Sequence, residues 1–251
     1  MVAHKTPTAK VDDLGARLER ELGDNLLSFM LYGPAVRSEG TGLATTLLIV
    51  RDASPTALRS IETHIAGWTK KGNPPPLIFS QQEWRSSADV FPIEIEDMRE
   101  AHVLIRGVDP LADVTTSRKD LRRELEREIR GKLLQLRAEF AAAASNGKQL
   151  GDLLIESART FFVLFRATLR LVGRPPPQEA ESLVSETGEI AGIDASCFEW
   201  ILARIAGKKV PNLQEHDPVG DRYLQQIELL ARFVDSFDAK GADEAPEQGS
   251  N

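Results

Sequence analysis

Arg37 lies in a polar loop between two short apolar runs, and its type and position suit it to bind an anion. Gly33 closes the first apolar run, Gly40 and Gly42 precede the second, and Glu39 is an acidic residue within the loop. A guanidinium group stays charged and presents five N–H donors, so arginine is a frequent ligand of phosphate groups. The sequence leaves two interpretations of Arg37 equally open, a phosphate contact or a solvated loop arginine.

Histidine and cysteine, the other residue types with rich chemistry, do not form a recognisable site. The single cysteine, Cys197, lies in an apolar helical stretch and is interpreted as a small core residue. Because the chain has one cysteine, an intramolecular disulfide is excluded, and this fits a reducing compartment. The histidines are far apart and none pairs with cysteine at metal-binding spacing, so no zinc site is expected: His4, His64, His102 and His216.

The loop that contains Arg37 is expected to connect two buried strands. Leu26–Tyr32 and Ala44–Val50 are short apolar runs bounded by residues that break regular structure. An amphipathic helix, Val11–Leu22, is predicted before the first strand from apolar residues three and four apart. After the second strand, Ser54 and Pro55 form a helix start. That helix is predicted to end at about Thr69, with these residues facing inward: Leu58, Ile61, Ile65 and Trp68.

The next segment is predicted to add short strands to the same sheet. Leu77–Phe79 is a third strand, and Ser80 caps a short helix, Gln81–Ser87. Val90–Glu96 is predicted to be a fourth strand, because apolar and polar residues alternate there with a period of two. Ala101–Arg106 fits either an edge strand or the end of a helix, and periodicity does not decide between them.

From about Ser117 onward, the apolar spacing predicts helices only. Their expected ranges are Ser117–Ala144, Leu150–Val172, Gln178–Glu189, Ala195–Ile205 and Arg222–Phe237. The predicted fold class is α+β, with a small mixed β-sheet domain at 9–113 followed by an all-helical bundle at 117–238. The polar segments 1–8 and 239–251 are expected to be disordered.

The Gly33 turn and its flanking strands resemble the core of the nucleotidyltransferase superfamily, which has the polymerase-β-like fold. The pattern of that family is a strand, a Gly-Ser turn with a following Ala/Arg-containing segment, and a strand that carries Asp-x-Asp. Gly33, Ala35 and Arg37 match this pattern. The helical second half is also similar to the arrangement of bacterial nucleotidyltransferases that modify antibiotics. The resemblance implies a mixed α/β nucleotidyltransferase-like domain with flanking helices, and it implies Gly33 and Arg37 as phosphate-binding candidates.

The residues that carry the reaction in that family are replaced in this chain. The resemblance implies that the two aspartates bind metal ions, because carboxylates at i and i+2 point to the same side of a strand and Mg²⁺ prefers anionic oxygen ligands. Ala44 and Thr46 stand at those two positions and carry no charge. Pro34 replaces the serine, and it lacks both the hydroxyl and the backbone N–H. These replacements predict that nucleotidyl transfer has been lost.

The resemblance also implies a third carboxylate from a neighbouring strand, and Glu94 or Glu96 could supply it. On the predicted strand 90–96 both side chains would face the same side. The other interpretation is a side of the strand that faces solvent. One carboxylate makes a poor Mg²⁺ site, so no catalytic residue, metal or other cofactor is predicted. Mg²⁺ and a nucleotide are expected only if the protein is a divergent active enzyme.

Charge and hydropathy limit the partners. The chain of 251 residues has 38 acidic and 31 basic residues and a formal net charge of −7, which argues against bulk nucleic-acid binding. The basic residues of the first long helix alternate with glutamates, as in a solvated helix face with i,i+4 ion pairs. No apolar run reaches the roughly 18 residues that span a bilayer, and no secretory signal begins the chain, so a cytoplasmic protein without membrane contact is expected.

The sequence therefore predicts a nucleotidyltransferase-fold protein that acts as a binding or regulatory module. Two alternatives stay open, a divergent Mg²⁺-dependent nucleotidyltransferase and an antitoxin-like partner protein. The expected partners are another protein or further copies of the same chain.

Overall fold

The structure, a computed structural model, describes residues 9–36, 44–112 and 114–237. It divides the chain into two compact units, Met1–Ser117 and Arg118–Asn251. The two tails that were expected to be disordered, and the candidate residues Arg37 and Glu39, lie outside the described residues. None of the helices in the described ranges is both long enough and apolar enough to cross a membrane.

The first unit is built on a four-stranded mixed sheet with the strand order β3-β2-β1-β4. The strands are β1 Leu26–Tyr32, β2 Thr45–Val50, β3 Leu77–Ser80 and β4 His102–Gly107. β1 pairs antiparallel with both β2 and β4, whereas β3 pairs parallel with β2. With helices elsewhere in the chain, this architecture confirms the predicted α+β class.

Side chains alternate between the two faces of this sheet, and each face has its own core. On one face, helix α1 (Ala9–Leu22) packs its apolar residues against Phe29, Leu31, Leu48 and Val50. On the other face, Met30, Leu47 and Ile49 pack against residues from the segment 84–114. The two central strands, β1 and β2, are therefore buried on both sides, as their nearly continuous apolar sequences indicate.

The helix predicted from Pro55 to Thr69 is two helices in the structure, α2 Pro55–Ser60 and α3 Glu62–Thr69. Ser54 caps α2 as expected, and its hydroxyl accepts a hydrogen bond from the N–H of Ala57 at 3.4 Å. The helix is interrupted at Ile61, whose backbone angles of φ −101° and ψ 0° lie outside the helical range. Leu58, on α2, is 38% exposed, so its predicted inward position is wrong.

The strand predicted at Val90–Glu96 is also wrong, because this segment begins helix α5, Pro92–Glu100. Proline is well suited to the first turn of a helix, where its missing N–H has no helical partner, and it disrupts the interior of a sheet. The apolar residues Ile95 and Met98, three apart, pack in the core cluster beneath the sheet, and Ile93 is buried as well. The alternating pattern therefore arose from a helix that begins at Pro92.

The elements around α5 match the sequence more closely. Ser80 and Glu83 form a reciprocal capping box at the start of helix α4, Gln81–Arg85. The segment for which strand and helix were both open is a strand, β4, and it lies at the edge of the sheet.

The second unit consists of helices, as predicted, and the helix predicted at Ala195–Ile205 begins with a 3-10 turn, Ala195–Phe198. Their bounds are α6 Arg118–Ala143, α7 Gly147–Leu171, α8 Ala180–Ala191, α9 Glu199–Ile205 and α10 Pro218–Ser236. A cluster of edge-to-face aromatic rings lies in its core: Phe161, Phe165, Phe198 and Tyr223. On the surface of α6 arginines pair with glutamates three or four residues away, as Arg122 and Arg130 do with Glu126.

Candidate functional site

The glycine turn at the end of β1 is tied into the sheet. Gly33 has φ 76°, a left-handed conformation that glycine adopts without strain. Its N–H donates a hydrogen bond of 3.0 Å to the carbonyl of Ala101, just before β4, and its own carbonyl accepts one from Val36. Pro34 has no N–H to offer. Of the two backbone N–H groups that a Gly-Ser turn could present to a phosphate, the first is therefore engaged within the protein and the second is absent.

Thr45 at the start of β2 lies directly beside this turn. It is paired with Tyr32 across the strands, and its hydroxyl donates a hydrogen bond of 2.7 Å to the carbonyl of Tyr32. A Cβ atom at position 33 would lie 3.2 Å from the Thr45 hydroxyl oxygen, which shows how closely the two residues approach. Thr45, Leu47 and Ile49 are the residues of β2 on this face of the sheet, and Thr45 and Leu47 are the two nearest the turn.

The two vestigial positions named from the sequence lie elsewhere. Thr46 is 1% exposed on the opposite face of β2, the face that it shares with Leu48 and Val50. Its hydroxyl has no hydrogen-bond partner among the described residues. Ala44 precedes β2, is partly buried, and packs at the edge of the same core. The i, i+2 pair beside the glycine turn is therefore Thr45 and Leu47, and both are uncharged.

Two carboxylates approach the turn from α5. A Cβ atom at position 33 would lie 3.9 Å from Oδ2 of Asp97, whose side chain is almost buried. Glu94, three residues earlier, lies on the same face of the helix and is exposed. Burial of the Tyr32 phenol, followed by the negative charges of Glu94 and Asp97, raises the pKa of Tyr32 to about 12. Both carboxylates therefore lie close enough to the Tyr32 phenol to disfavour its ionised form.

Glu96 does not belong to this cluster. Residues two apart on a helix lie about 200° apart around its axis, so Glu94 and Glu96 occupy different faces of α5, and the predicted common side is wrong. Glu96 instead accepts a hydrogen bond of 2.6 Å from the hydroxyl of Thr116 and pairs with Arg99 at 3.3 Å.

The cluster consists of a glycine turn, the Thr45 hydroxyl, the Tyr32 phenol and two carboxylates. In the described ranges, no group of three or more His, Cys, Asp or Glu side chains could hold a metal ion. Mg²⁺ nevertheless needs only one or two protein carboxylates when phosphate oxygens and water complete its coordination. Glu94 and Asp97 are the residues that would hold such an ion, which would supply charge neutralisation to a bound triphosphate.

Sequence reasoning missed Asp97, Thr45 and Tyr32. The spacing of Glu94 and Asp97 becomes informative only when the segment is treated as a helix, and Pro92 was the available signal for that. The role of Thr45 depends on which face of β2 meets the turn, a relation between distant parts of the chain that periodicity does not reveal.

The fold is similar to that of the spectinomycin adenyltransferase AAD(9) from Enterococcus faecialis, solved in a crystal structure with ATP and spectinomycin. The TM-score is 0.56 at 12% sequence identity, and the match covers 92% of this chain and 100% of that chain. No protein-family model and no curated protein sequence matches this chain. At this identity the likeness shows a nucleotidyltransferase-like fold and nothing about activity.

Proposed function

We propose that this protein is a nucleotidyltransferase-fold binding or regulatory module that no longer transfers nucleotides. The observation that carries the proposal is the pair of uncharged residues, Thr45 and Leu47, on the side of β2 that faces the glycine turn. Two-metal transfer needs carboxylates that clamp both the attacking and the leaving oxygens. Glu94 and Asp97 together could hold one hydrated ion, and one ion does not form that clamp.

The two carboxylates beside the turn define what such a module binds. A carboxylate does not attract a free triphosphate, because both groups are negatively charged. A divalent cation placed between the carboxylates and the phosphates would attract both. The nucleotide is therefore expected to bind only together with Mg²⁺.

The binding part of the proposal is tested by thermal unfolding with ATP, GTP, CTP and UTP, each with and without Mg²⁺. A ligand at 100 times its dissociation constant adds about 2.7 kcal/mol to the free energy of unfolding. In a protein of this size that is a shift of several degrees, at roughly 2–4 °C per kcal/mol. We expect a shift only with Mg²⁺ present and its loss in Asp97→Asn. The matched control is Glu62→Gln, which removes one negative charge from an exposed position on α3.

The loss of transfer is tested separately with nucleotides labelled at the α-phosphate, in the presence of Mg²⁺. We expect no labelled product from any of the four triphosphates. Labelled product formed by the wild type, and abolished by Glu94→Gln and by Asp97→Asn but not by Glu62→Gln, would overturn the proposal.

That result would support the second candidate, a divergent nucleotidyltransferase. The observation in its favour is the approach of Asp97 to the glycine turn, with Glu94 on the same face of the helix. In this candidate Glu94 and Asp97 replace the carboxylates that β2 lacks.

A further inference from the structure

The segment that follows β4 is held against helix α5 by apolar contacts. Leu111 and Val114 are 3% and 2% exposed, and they belong to the same core cluster as Ile95 and Met98 of α5. The indole N–H of Trp84 donates a hydrogen bond of 2.7 Å to the carbonyl of Pro110, at the start of this segment. The last residues of the first unit therefore lie along α5.

Polar contacts fix the same segment at two further points. The hydroxyl of Thr116 donates a hydrogen bond of 2.6 Å to Oε1 of Glu96, and the guanidinium of Arg99 donates one of 2.6 Å to the carbonyl of Val114. Arg99 also donates to the same Oε1 of Glu96 at 3.3 Å, which joins the two contacts. We call these four residues, Glu96, Arg99, Val114 and Thr116, the latch.

The latch contains charge-assisted hydrogen bonds in addition to an ion pair. The Glu96 side chain is 23% exposed, and both contacts to the segment involve a charged partner, which strengthens a hydrogen bond. Glu96 and Arg99 are three residues apart, so the same turn of helix orients both side chains. Removal of Thr116 would leave Glu96 with one partner fewer in a partly buried place, which costs more than an exposed contact does.

Helix α5 joins the latch to the glycine turn. Its nine residues carry Glu94 and Asp97 on the face near Gly33, and Glu96 and Arg99 on the faces that hold the segment. Because α5 is one continuous helix of nine residues, a displacement of the helix that alters one face also alters the other.

We propose that Glu96 is a positioning residue, and that closure of the latch and occupancy of the Glu94–Asp97 face are thermodynamically linked through α5. The link to occupancy rests on the proposed function, whereas the latch itself does not. A ligand that binds better to the latched state also favours closure of the latch. The factor by which the ligand favours closure equals the factor by which closure strengthens ligand binding.

The latch is tested in the full-length chain by limited digestion with trypsin. Arg118 and Lys119 follow the latch directly and form the start of α6, so cleavage there reports opening of the segment together with that first turn when reclosing is fast. The comparison of Thr116→Val with its control isolates the part of the opening that depends on the latch. Loss of a hydrogen bond to a charged group in Thr116→Val is expected to raise the cleavage rate by about tenfold or more. The rate is measured relative to cleavage after Lys209, an exposed residue between α9 and α10. The matched control is Thr115→Val, the same change at the exposed neighbouring residue.

Equal cleavage rates in Thr116→Val and Thr115→Val would overturn the latch. A second variant, Glu96→Gln, keeps an acceptor oxygen and removes the charge, so its rate is expected to lie between those of the wild type and Thr116→Val. Circular dichroism of each variant shows that the fold is retained.

The link to the turn is tested with ATP and Mg²⁺ as the probe. We expect the probe to slow cleavage after Lys119 in the wild type, and Thr116→Val to weaken its binding severalfold while Thr115→Val leaves binding unchanged. Equal affinity in the wild type and Thr116→Val would overturn the link. If the wild type does not bind the probe, the proposed function and the link both fall, and the cleavage rates still decide whether the latch exists.

Discussion

Thr45 and Thr46 are adjacent in β2, but their hydroxyls meet opposite surroundings. The Thr45 hydroxyl is hydrogen-bonded to the Tyr32 carbonyl, whereas the Thr46 hydroxyl is buried among apolar side chains without a partner in the described ranges. Burial of an unpaired hydroxyl costs on the order of 1 kcal/mol or more. The two positions therefore form a matched pair for mutation.

We expect Thr46→Val to raise the free energy of unfolding by about 1 kcal/mol, because it removes the unpaired hydroxyl. Thr45→Val is expected to lower it by about the same amount, because it removes the hydrogen bond from the Thr45 hydroxyl to the Tyr32 carbonyl. Thermal unfolding measures both, with shifts of roughly 2–4 °C in opposite directions. Shifts of the same sign would contradict the assignment of faces in β2.

Tyr32 makes the stability of the protein depend on pH in the alkaline range. Its pKa is raised from an ordinary value of 10.0 to about 12, so the folded state favours the neutral phenol. The contribution is fully present below pH 10 and is lost between pH 10 and 12, as the unfolded chain ionises first. Tyr32→Phe should lack this loss. Urea unfolding of the wild type and Tyr32→Phe at pH 9 and pH 11 measures the difference in the pH dependence of their unfolding free energies. Burial also raises the pKa of Tyr223, but that residue is present in both proteins, so its contribution cancels in the comparison.

At the scale of the element, helix α7 carries a buried arginine that stabilises the loop after it. Arg166 is 5% exposed and donates hydrogen bonds of 2.6 Å and 3.0 Å to the carbonyls of Pro177 and Gln178. The charged group thus satisfies backbone acceptors in the connection to α8, where three prolines supply no N–H of their own.

We expect Arg166→Met to lower the free energy of unfolding by about 2–3 kcal/mol, because hydrogen bonds to a charged group are lost and two carbonyls lose a donor. Arg159→Met on the same helix is the control, because Arg159 is exposed, and its effect should stay within about 0.5 kcal/mol. Urea unfolding compares the two, and equal effects would show that Arg166 does not stabilise the loop.

Helix α5 shows which parts of this fold could be predicted from sequence and which could not. The apolar runs of β1 and β2 and the spacing of the long helices α6, α7 and α10 are local patterns, and they predicted these elements to within a few residues. In the segment 91–98 apolar residues satisfy both a period of two and a helical spacing. Only the proline at its start argued for a helix, so the local pattern supported the wrong element.

The candidate site was harder to predict than the fold for the same reason. Gly33 could be identified from its own neighbours in sequence. Asp97 reaches the turn only because α5 is a helix and because β4 returns the chain to β1. Those relations join residues more than sixty positions apart, and a single sequence carries no direct signal of them.

At the scale of the whole molecule, each unit has the apolar core that an independent domain needs. We expect the segment 118–251, produced alone, to be helical by circular dichroism and to unfold in one cooperative transition, since a packed core supports such a transition. A segment that gives a helical spectrum without a cooperative transition would contradict this, and would mean that the second unit needs the first.

The pairing of β1 with β4 has a consequence for the order in which the chain folds. Phe29 pairs with Arg106, so β1 stays without its second neighbour until a loop of about seventy residues has closed. Helices α6 and α7 are joined by only three residues, and their contacts form between near neighbours in sequence. Folding rates fall as the sequence separation of contacts grows. The part of the chain that leaves the ribosome first is thus the part whose structure is slowest to complete.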